Sequence, residues 1–199
     1  INMLYDLEKI NKIDKFKYDV ILVGAGASGL ICAKELSNKK PNIRIAIIES
    51  GGLRKNKKIN SLDSNISTNK SINFKDSVAR YYGGKTNLWA GRILDIGEEE
   101  LESWPIDKHE LLFWRDASIK HLINDYSIDD LYDNSIQLAK KTYLGALLDS
   151  GFQICPGILI KPKVFRINHG KYSNIDLFIN STVVKLNTTK NQDKITSLT

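Results

Sequence analysis

The sequence predicts an α/β fold with a mostly parallel sheet, and three successive segments lead to this prediction. Residues 18–23 form a short, β-branched, apolar run that ends directly in glycine, which is typical of a strand buried on both faces of a parallel sheet. Residues 29–37 carry apolar side chains at helical spacing, and residues 43–48 form a second apolar run that ends at Glu49. Strand, helix and strand in this order predict a βαβ unit.

The composition is that of an ordinary globular protein. The chain has 199 residues, of which 42% are hydrophobic and 26% charged, so it can bury a sizeable core. The net charge of +6 is spread among acidic residues, and the dense basic run at residues 54–58 is typical of a solvated loop. We therefore expect no nucleic-acid partner.

No targeting or membrane segment is visible in the sequence. Apolar runs stay well short of the roughly 20 residues that span a bilayer, and residues 1–19 lack the apolar core of a signal peptide. We expect a cytoplasmic protein. The two cysteines, Cys32 and Cys155, have neither the spacing nor the neighbouring histidines of a metal site, so no metal is predicted. Cys32 is interpreted as a small core residue of the first helix.

Local signals divide the rest of the chain. Residues 51–75 are rich in Asn, Ser and Lys and are predicted to be irregular. Asp107 and Glu110 form a capping-box pattern ahead of a helix, and a further helix is predicted at about residues 130–149. Strand-like runs follow at residues 158–160, 164–167, 175–179 and 182–186, and a hairpin near residues 190–193 has its return strand at 195–198.

Three glycines between the first predicted strand and the helix form a candidate binding motif. In VGAGASG, Gly24 allows a tight turn, Gly26 lets a pyrophosphate approach the backbone, and Gly29 lets the helix pack closely on the strand. The helix N-terminus offers N–H groups to the phosphates. Glu49 follows Gly29 by 20 positions, where an acidic side chain accepts hydrogen bonds from an unphosphorylated adenosine ribose. The alternative is a glycine turn with an unrelated surface glutamate.

A second glycine segment, YYGGKTNLWAGR, follows later in the chain. Gly83 and Gly84 would let the backbone approach a flat ligand, Thr86 and Asn87 would supply hydrogen-bonding groups beside it, and Trp89 would add an aromatic wall. The alternative is a glycine turn ahead of a core tryptophan. The residues alone leave both interpretations open.

These segments resemble the glucose-methanol-choline (GMC) oxidoreductases. Three stretches match that family in order, at Asp19–Gly52, Ala79–Arg92 and Asn180–Leu186, and the SWPID stretch ahead of a helix is also typical of it. The resemblance spans nearly the whole chain. It implies a Rossmann-like FAD-binding domain with a mostly parallel sheet, a helical insertion and the beginning of an antiparallel substrate-domain sheet, with FAD as the cofactor.

The resemblance also implies a division of the chain and a set of cofactor-binding residues. Residues 1–199 would form an incomplete FAD-binding domain, divided into a βαβ unit at 18–52, cofactor and lid loops at 53–103, a helical insertion at 104–151 and strands leading onward at 152–199. The expected cofactor-binding residues are Gly24, Gly26, Ala27, Ser28, Gly29, Glu49, Ser50, Gly83, Gly84, Thr86, Asn87, Trp89, Gly91 and Val183.

Within the family, GGKTNLW is similar to the branch that oxidises sugars and polyols, in which tryptophan commonly occupies the position of Trp89. Some relatives attach flavin through a histidine at the position of Leu88, so leucine there implies a FAD held without a covalent bond. The implied reaction removes hydride from a carbon bearing a hydroxyl group. Its implied partners are a small-molecule alcohol or sugar substrate and an electron acceptor.

The catalytic histidine of that family lies near the C-terminus, and we expect the corresponding base beyond residue 199. The three histidines present here, His109, His121 and His169, match no motif of the family. No catalytic residue is therefore assigned within the chain.

Two other functions fit parts of the pattern. A nicotinamide-dependent dehydrogenase would use the same glycine fingerprint and Glu49, but it would leave YYGGKTNLWAGR without a role. A non-catalytic module that binds FAD or no ligand at all would use neither a base nor a substrate. Absorbance of a bound cofactor near the flavin bands distinguishes the first alternative from a flavoprotein.

Overall fold

The computed structural model describes residues 4–10, 17–63, 78–88, 92–94, 101–119, 157–159 and 171–199. The helix predicted at about 130–149 and the strand-like run at 164–167 lie outside these residues. The chain divides into two compact units, the first made of Ile1–Leu88 with Val164–Thr199 and the second of Trp89–Lys163.

In chain order, the described strands are β1 (Leu4–Asp6), β2 (Val20–Val23), β3 (Ile45–Ile48), β4 (Arg92–Leu94), β5 (Gly157–Leu159), β6 (Ile175–Ile179), β7 (Leu186–Thr188) and β8 (Ile195–Leu198). The described helices are α1 (Ala27–Lys39), α2 (Lys57–Asn60) and, here numbered α3, Lys108–Ile119. Short 3₁₀ turns occur at Ser61–Asp63 and Gly84–Asn87.

The first unit is built on a four-stranded parallel sheet with the order β1-β6-β3-β2. Ile45 of β3 pairs with Val20 on one side and with Ile175 on the other. Helix α1 packs on β2 and β3. The largest fully buried side chains come from the two middle strands and from α1, and they are Leu30, Ile45, Ile47, Ile175 and Leu177. The predicted βαβ unit and α/β class are confirmed.

Two strands of this sheet come from distant parts of the chain. β6 lies between β3 and β1, so within the 152–199 segment residues 175–179 belong to the parallel sheet itself. β1 lies within residues 1–19, where no strand is predicted before residue 18. Pairing between segments so far apart depends on tertiary packing, and no local sequence pattern predicts it.

Two predictions about burial are wrong. β2 is not buried on both faces, because the side chains of Ile21 and Val23 are 41% and 61% exposed. Within the described residues β2 pairs only with β3 and forms one edge of the sheet, so alternate side chains on one face remain open. Cys32 is exposed rather than in the core. It lies about 200° around α1 from the buried Leu30.

A polar and aromatic cluster lies where β2, β3 and β6 begin. The Tyr18 hydroxyl donates to Asp176 Oδ2 at 2.9 Å, and Arg44 Nη2 approaches the same oxygen at 3.5 Å. The Arg44 guanidinium also lies 4.8 Å from the centre of the Tyr18 ring. Asp176 is buried, and a buried carboxylate needs such partners.

The second unit contains α3 and an antiparallel pair of strands. Asp107 precedes α3, and its Oδ1 accepts hydrogen bonds from the N–H groups of His109 and Glu110 at 2.9 and 3.2 Å. The Asp107 half of the predicted capping box is therefore present, whereas Glu110 Oε1 accepts from Trp114 Nε1 at 3.3 Å. β4 and β5 pair antiparallel, with Ile93 opposite Ile158.

The first unit ends in the predicted hairpin. β7 and β8 pair antiparallel, and Gln192 in the turn has a φ of 58°. Residues 182–185 are irregular, so the strand predicted from residue 182 begins only at Leu186.

None of the helices within the described ranges is long and apolar enough to cross a membrane. A parallel sheet with a helix after its first glycine loop is the Rossmann-like arrangement that the resemblance implies.

Candidate nucleotide-binding site

The first glycine loop connects β2 to α1. Gly24 has a φ of +98°, a conformation that glycine adopts without strain. A Cβ atom at Gly29 would lie 2.2 Å from the Gly24 carbonyl oxygen, so the helix approaches the turn too closely for any other residue. A Cβ atom at Gly26 would meet no heavy atom within 4 Å, so the space beside Gly26 is open. An open approach to the backbone at this glycine fits a pyrophosphate.

The N-terminus of α1 faces the same loop. Its N-cap residue is Gly26, which supplies no side-chain acceptor, and the first turn contains no acidic residue. The backbone N–H groups of a first helical turn lack intrahelical acceptors, and they carry the positive end of the helix dipole. Ala27 and Ser28 are the first residues of this turn. These features fit a ligand with negatively charged phosphates.

Glu49 lies directly after β3, at the carboxyl edge of the sheet. Its side chain is buried, and both of its carboxylate oxygens accept backbone hydrogen bonds. The Ala25 N–H donates to Oε2 at 2.8 Å, and the Gly51 N–H donates to Oε1 at 2.9 Å. Each carboxylate oxygen has a second lone pair that can accept from a ribose hydroxyl. Glu49 therefore also holds the glycine loop against the end of β3, a role that its position in the sequence does not reveal.

The second glycine segment packs against the first at the backbone. The Gly83 N–H donates to the Ala25 carbonyl at 2.9 Å, and Gly83 forms a parallel bridge with Gly26. A Cβ atom at Gly84 would lie 3.0 Å from the Gly26 Cα. Gly83 and Gly84 have φ values of 94° and 56°. Both positions therefore favour glycine whatever ligand lies beside them: Gly84 because of its approach to Gly26, and Gly83 because of its φ and because a Cβ there would lie 2.8 Å from Asn87 Nδ2.

Thr86 and Asn87 direct their donors into their own turn. The Thr86 hydroxyl donates to the Gly83 carbonyl at 2.6 Å. The Asn87 side-chain nitrogen donates to the carbonyls of Tyr82 and Gly84, each at 3.0 Å. These bonds hold the 3₁₀ turn that follows the glycines. The side-chain oxygens of Thr86 and Asn87 can accept hydrogen bonds from a ligand.

Three further polar side chains meet beside Glu49. Ser50 Oγ lies 2.8 Å from Thr182 Oγ1, and Arg80 Nη1 donates to Ser50 Oγ at 3.2 Å. Val183 follows Thr182 and is half-buried. Ser50 and Val183 are expected from the sequence, whereas Arg80 and Thr182 are not. The ARYYGG stretch contains Arg80, but the position of its side chain depends on how the second glycine segment packs.

The remaining candidate residues are not brought into this site by the described part of the chain. Trp89 and Gly91 lie outside the described residues, as do Cys155, His121 and His169. His109 is exposed in the first turn of α3, in the second unit. Within the described ranges, no group of three or more His, Cys, Asp or Glu side chains could hold a metal ion.

Comparisons with known proteins match the glycine loop and the fold. The Thi4 family matches residues 6–52. A thiamine thiazole synthase from Coprinopsis cinerea is 45% identical over 38 residues, which are 19% of this chain and 12% of that protein. A chloroplastic thiamine thiazole synthase from Citrus sinensis is 71% identical over 31 residues, which are 16% of this chain and 8% of that protein.

Among solved structures, pyridoxine 4-oxidase from Mesorbium loti is similar over 92% of this chain and 45% of its own, with a TM-score of 0.58 and 15% sequence identity. The chain therefore spans less than half the length of that structure, and far less of the thiazole synthases. The likeness extends well beyond the short stretch that the sequence matches share. The fold is that of a Rossmann-like FAD-binding domain, and together these matches point to FAD as the cofactor.

Proposed function

We propose that this chain is the FAD-binding part of a flavin-dependent oxidoreductase of the GMC type, which oxidises the CH–OH group of an alcohol. One observation carries the proposal: the two glycine segments form a single site. The Gly83 N–H is bonded to the Ala25 carbonyl at 2.9 Å, and the bridge between Gly83 and Gly26 aligns the segments. The first segment is a dinucleotide-binding loop, so the second segment lies where the same ligand would extend.

The contact between the segments supports FAD over a nicotinamide cofactor. The glycine fingerprint and Glu49 fit either dinucleotide, because both contain adenosine diphosphate. A nicotinamide enzyme would leave YYGGKTNLWAGR without a role in binding, whereas a FAD site would use this segment, which packs on Gly26 through Gly84. FAD would be held at its phosphates by the loop and the N-terminus of α1, and at its ribose by Glu49 and Ser50. When bound, FAD supplies the two-electron acceptor for the hydride.

The proposed substrate is an alcohol, most closely a sugar or polyol. The support is the resemblance of GGKTNLW to the sugar-oxidising branch and the general likeness in fold to an enzyme named for the oxidation of pyridoxine. The substrate would become a carbonyl compound, because its carbon loses hydride to the cofactor and its hydroxyl group loses a proton to a base. We expect that base beyond residue 199, and a separate electron acceptor must reoxidise the cofactor.

The thiazole synthase matches support the nucleotide site and not a thiazole synthase activity for this chain. The Thi4 match covers residues 6–52, which contain the glycine loop, Glu49 and Gly52. It ends before the second glycine segment, which belongs to the same site. The shared stretch is therefore the unit that binds the adenosine end of a dinucleotide.

The spectrum of the purified protein tests the proposal. We expect absorbance bands of oxidised flavin and release of FAD on denaturation. Bleaching by a sugar, polyol or simple alcohol without oxygen is expected of the full-length protein, which would contain the base, whereas residues 1–199 by themselves should be inactive. Protein that binds NAD in calorimetry and shows no flavin bands after incubation with FAD would contradict the proposal. Bound flavin that no alcohol reduces in the full-length protein would retain the cofactor assignment and reject the substrate class.

A further inference from the structure

A cluster formed by Ser50, Thr182 and Arg80 lies at the carboxyl edge of the parallel sheet. The Ser50 hydroxyl is at its centre, 2.8 Å from Thr182 Oγ1 and 3.2 Å from Arg80 Nη1. Thr182 is exposed, and Ser50 and Arg80 are partly exposed. The cluster therefore combines one positive charge and two hydroxyl groups at a surface that a ligand can reach.

The backbone of Arg80 is held in place on both sides. Its N–H donates to Asn60 Oδ1 at 2.9 Å, and the Asn60 side-chain nitrogen donates to the Val78 carbonyl at 2.8 Å. The Arg80 carbonyl oxygen lies so close to Gly51 that a Cβ atom there would be 1.9 Å away. Since the backbone is fixed and the guanidinium is bonded to Ser50, the charge is positioned before any ligand binds.

The cluster adjoins the residue that would bind the ribose. Ser50 follows Glu49 directly, and the Gly51 N–H donates to Glu49 Oε1 at 2.9 Å. The carboxylate of Glu49 is buried and occupied by two backbone donors, whereas the guanidinium and the hydroxyls of the cluster are nearer the solvent. An adenosine diphosphate that enters here brings negative charge next to Arg80.

We propose that Arg80 is a binding residue for the adenosine diphosphate half of the dinucleotide, held in position by Ser50 and supported by Thr182. The identity of the dinucleotide rests on the proposed function. The guanidinium offers several N–H donors, so it can keep its bond to Ser50 and donate to a ribose or phosphate oxygen at the same time. Its charge strengthens such a bond to an anionic ligand. Arg80 thereby contributes affinity that the neutral glycine loop cannot.

Affinity for two ligands, ADP and FAD, tests the inference. Arg80→Ala removes the guanidinium and leaves the backbone bonds of residue 80 in place. Lys40→Ala is the matched control, because it removes the same charge from an exposed position that follows the C-terminus of α1. Thr182→Val changes the cluster from an exposed position without altering charge. Each protein is prepared without cofactor, its melting temperature is recorded, and both ligands are titrated by calorimetry.

Arg80→Ala is expected to bind ADP and FAD about tenfold more weakly than the parent, with its cofactor-free melting temperature unchanged. Thr182→Val is expected to show a smaller loss for both ligands, and Lys40→Ala none. Equal affinities in Arg80→Ala and the parent would overturn the inference while leaving FAD binding intact. If Arg80→Ala melts at a lower temperature, unchanged affinity in Thr182→Val overturns the inference.

The titrations also separate this inference from the proposed function. A parent protein that binds ADP and does not bind FAD contradicts the proposed function, and the ADP affinities of the variants still decide the role of Arg80. A parent protein that binds neither ligand overturns both.

Discussion

The backbone of Ala25 connects Glu49 to Gly83. Its N–H donates to Glu49 Oε2 at 2.8 Å, and its carbonyl accepts from the Gly83 N–H at 2.9 Å. The Ala25 backbone thus links the end of β3 to the second glycine segment. Changes to Glu49 or to the second segment should therefore disturb the first glycine loop, even though none of its residues is altered.

Gly84→Ala should loosen the contact between the two glycine segments. The new Cβ would lie 3.0 Å from Gly26 Cα, and φ at this position is +56°, where alanine is strained by about 1–2 kcal/mol. We expect a lower melting temperature and weaker FAD binding together. Lys85→Ala, at the next position along the 3₁₀ turn, is the control that should change neither. A Gly84→Ala protein with the stability and affinity of the parent would show that the contact is dispensable.

Gly29→Ala and Gly26→Ala should separate folding from binding. The Cβ introduced by Gly29→Ala would lie 2.2 Å from the Gly24 carbonyl oxygen, so the helix or the turn must shift. We expect this variant to lose about 1–3 kcal/mol of stability.

The methyl group introduced by Gly26→Ala has no heavy atom within 4 Å, so this variant should keep its stability within about 1 kcal/mol. It should nevertheless bind FAD more weakly, because the methyl group occupies the open space beside the loop. Denaturant unfolding without cofactor and FAD titration measure the two effects, and equal stability of both variants would contradict the expectation.

Glu49→Gln should reduce both stability and cofactor affinity. The carboxylate accepts from the N–H groups of Ala25 and Gly51, and a glutamine side chain would turn its NH₂ group toward one of these two donors. Losing a buried, charged hydrogen bond of this kind costs about 1.5–3 kcal/mol of unfolding free energy. We also expect FAD affinity to fall by about 1–2 kcal/mol.

Glu35→Gln is the matched control for that substitution. Glu35 lies on α1 and pairs with Lys39 at 3.7 Å near the surface, where the Lys39 side chain is 70% and the Glu35 side chain 38% exposed, and such an ion pair contributes about 0–1 kcal/mol. Unfolding experiments without cofactor should therefore show a clearly larger loss for Glu49→Gln than for Glu35→Gln. Similar losses would show that Glu49 does not hold the loop.

Tyr18→Phe should lower stability at neutral pH and remove a dependence on alkaline pH. The Tyr18 hydroxyl donates to Asp176 Oδ2 at 2.9 Å, and losing this bond to a buried carboxylate should cost about 1–2 kcal/mol. Burial and the nearby Asp176 carboxylate raise the pKa of Tyr18 above its usual value.

The direction of the pH effect follows from this raised pKa. In the unfolded chain the phenol loses its proton above about pH 10, whereas in the folded protein it stays protonated, so the stabilisation is complete below about pH 10 and declines above it. The difference in melting temperature between the parent and Tyr18→Phe should therefore begin to shrink as the pH rises from about 9 to about 11. A difference that stays constant over this range would contradict the assignment.

The sequence was sufficient to predict the parts of the fold that depend on neighbours along the chain. β2, α1 and β3 follow from hydrophobic spacing and three glycines, and Asp107 caps α3 as its sequence context indicates. The turn of the final hairpin and its return strand β8 also follow from the local pattern, whereas β7 shares only Leu186 with the predicted run 182–186. In each case, a few consecutive residues contain the whole signal.

Contacts between distant segments could not be predicted in this way. β1 is only three residues long, and it is a strand because it pairs with β6. The Arg80 side chain reaches Ser50 only because the second glycine segment packs on the first. The sequence predicts hydrogen-bonding groups of Thr86 and Asn87 beside a ligand, but it does not reveal that the donors of both side chains bond within their own turn. These positions depend on packing between distant segments, which no single stretch of the sequence predicts.

β6 joins two segments that precede it by long stretches of chain, with Leu177 opposite Leu4 of β1 and Ile175 opposite Ile45 of β3. During synthesis β3 therefore lacks one neighbour until the ribosome has released residues 175–179, and the sheet cannot be completed earlier. Contacts so distant in sequence slow folding, because a long loop must close before they form. We therefore expect refolding, followed by fluorescence, to be slower than that of a compact βαβ unit with only short-range contacts.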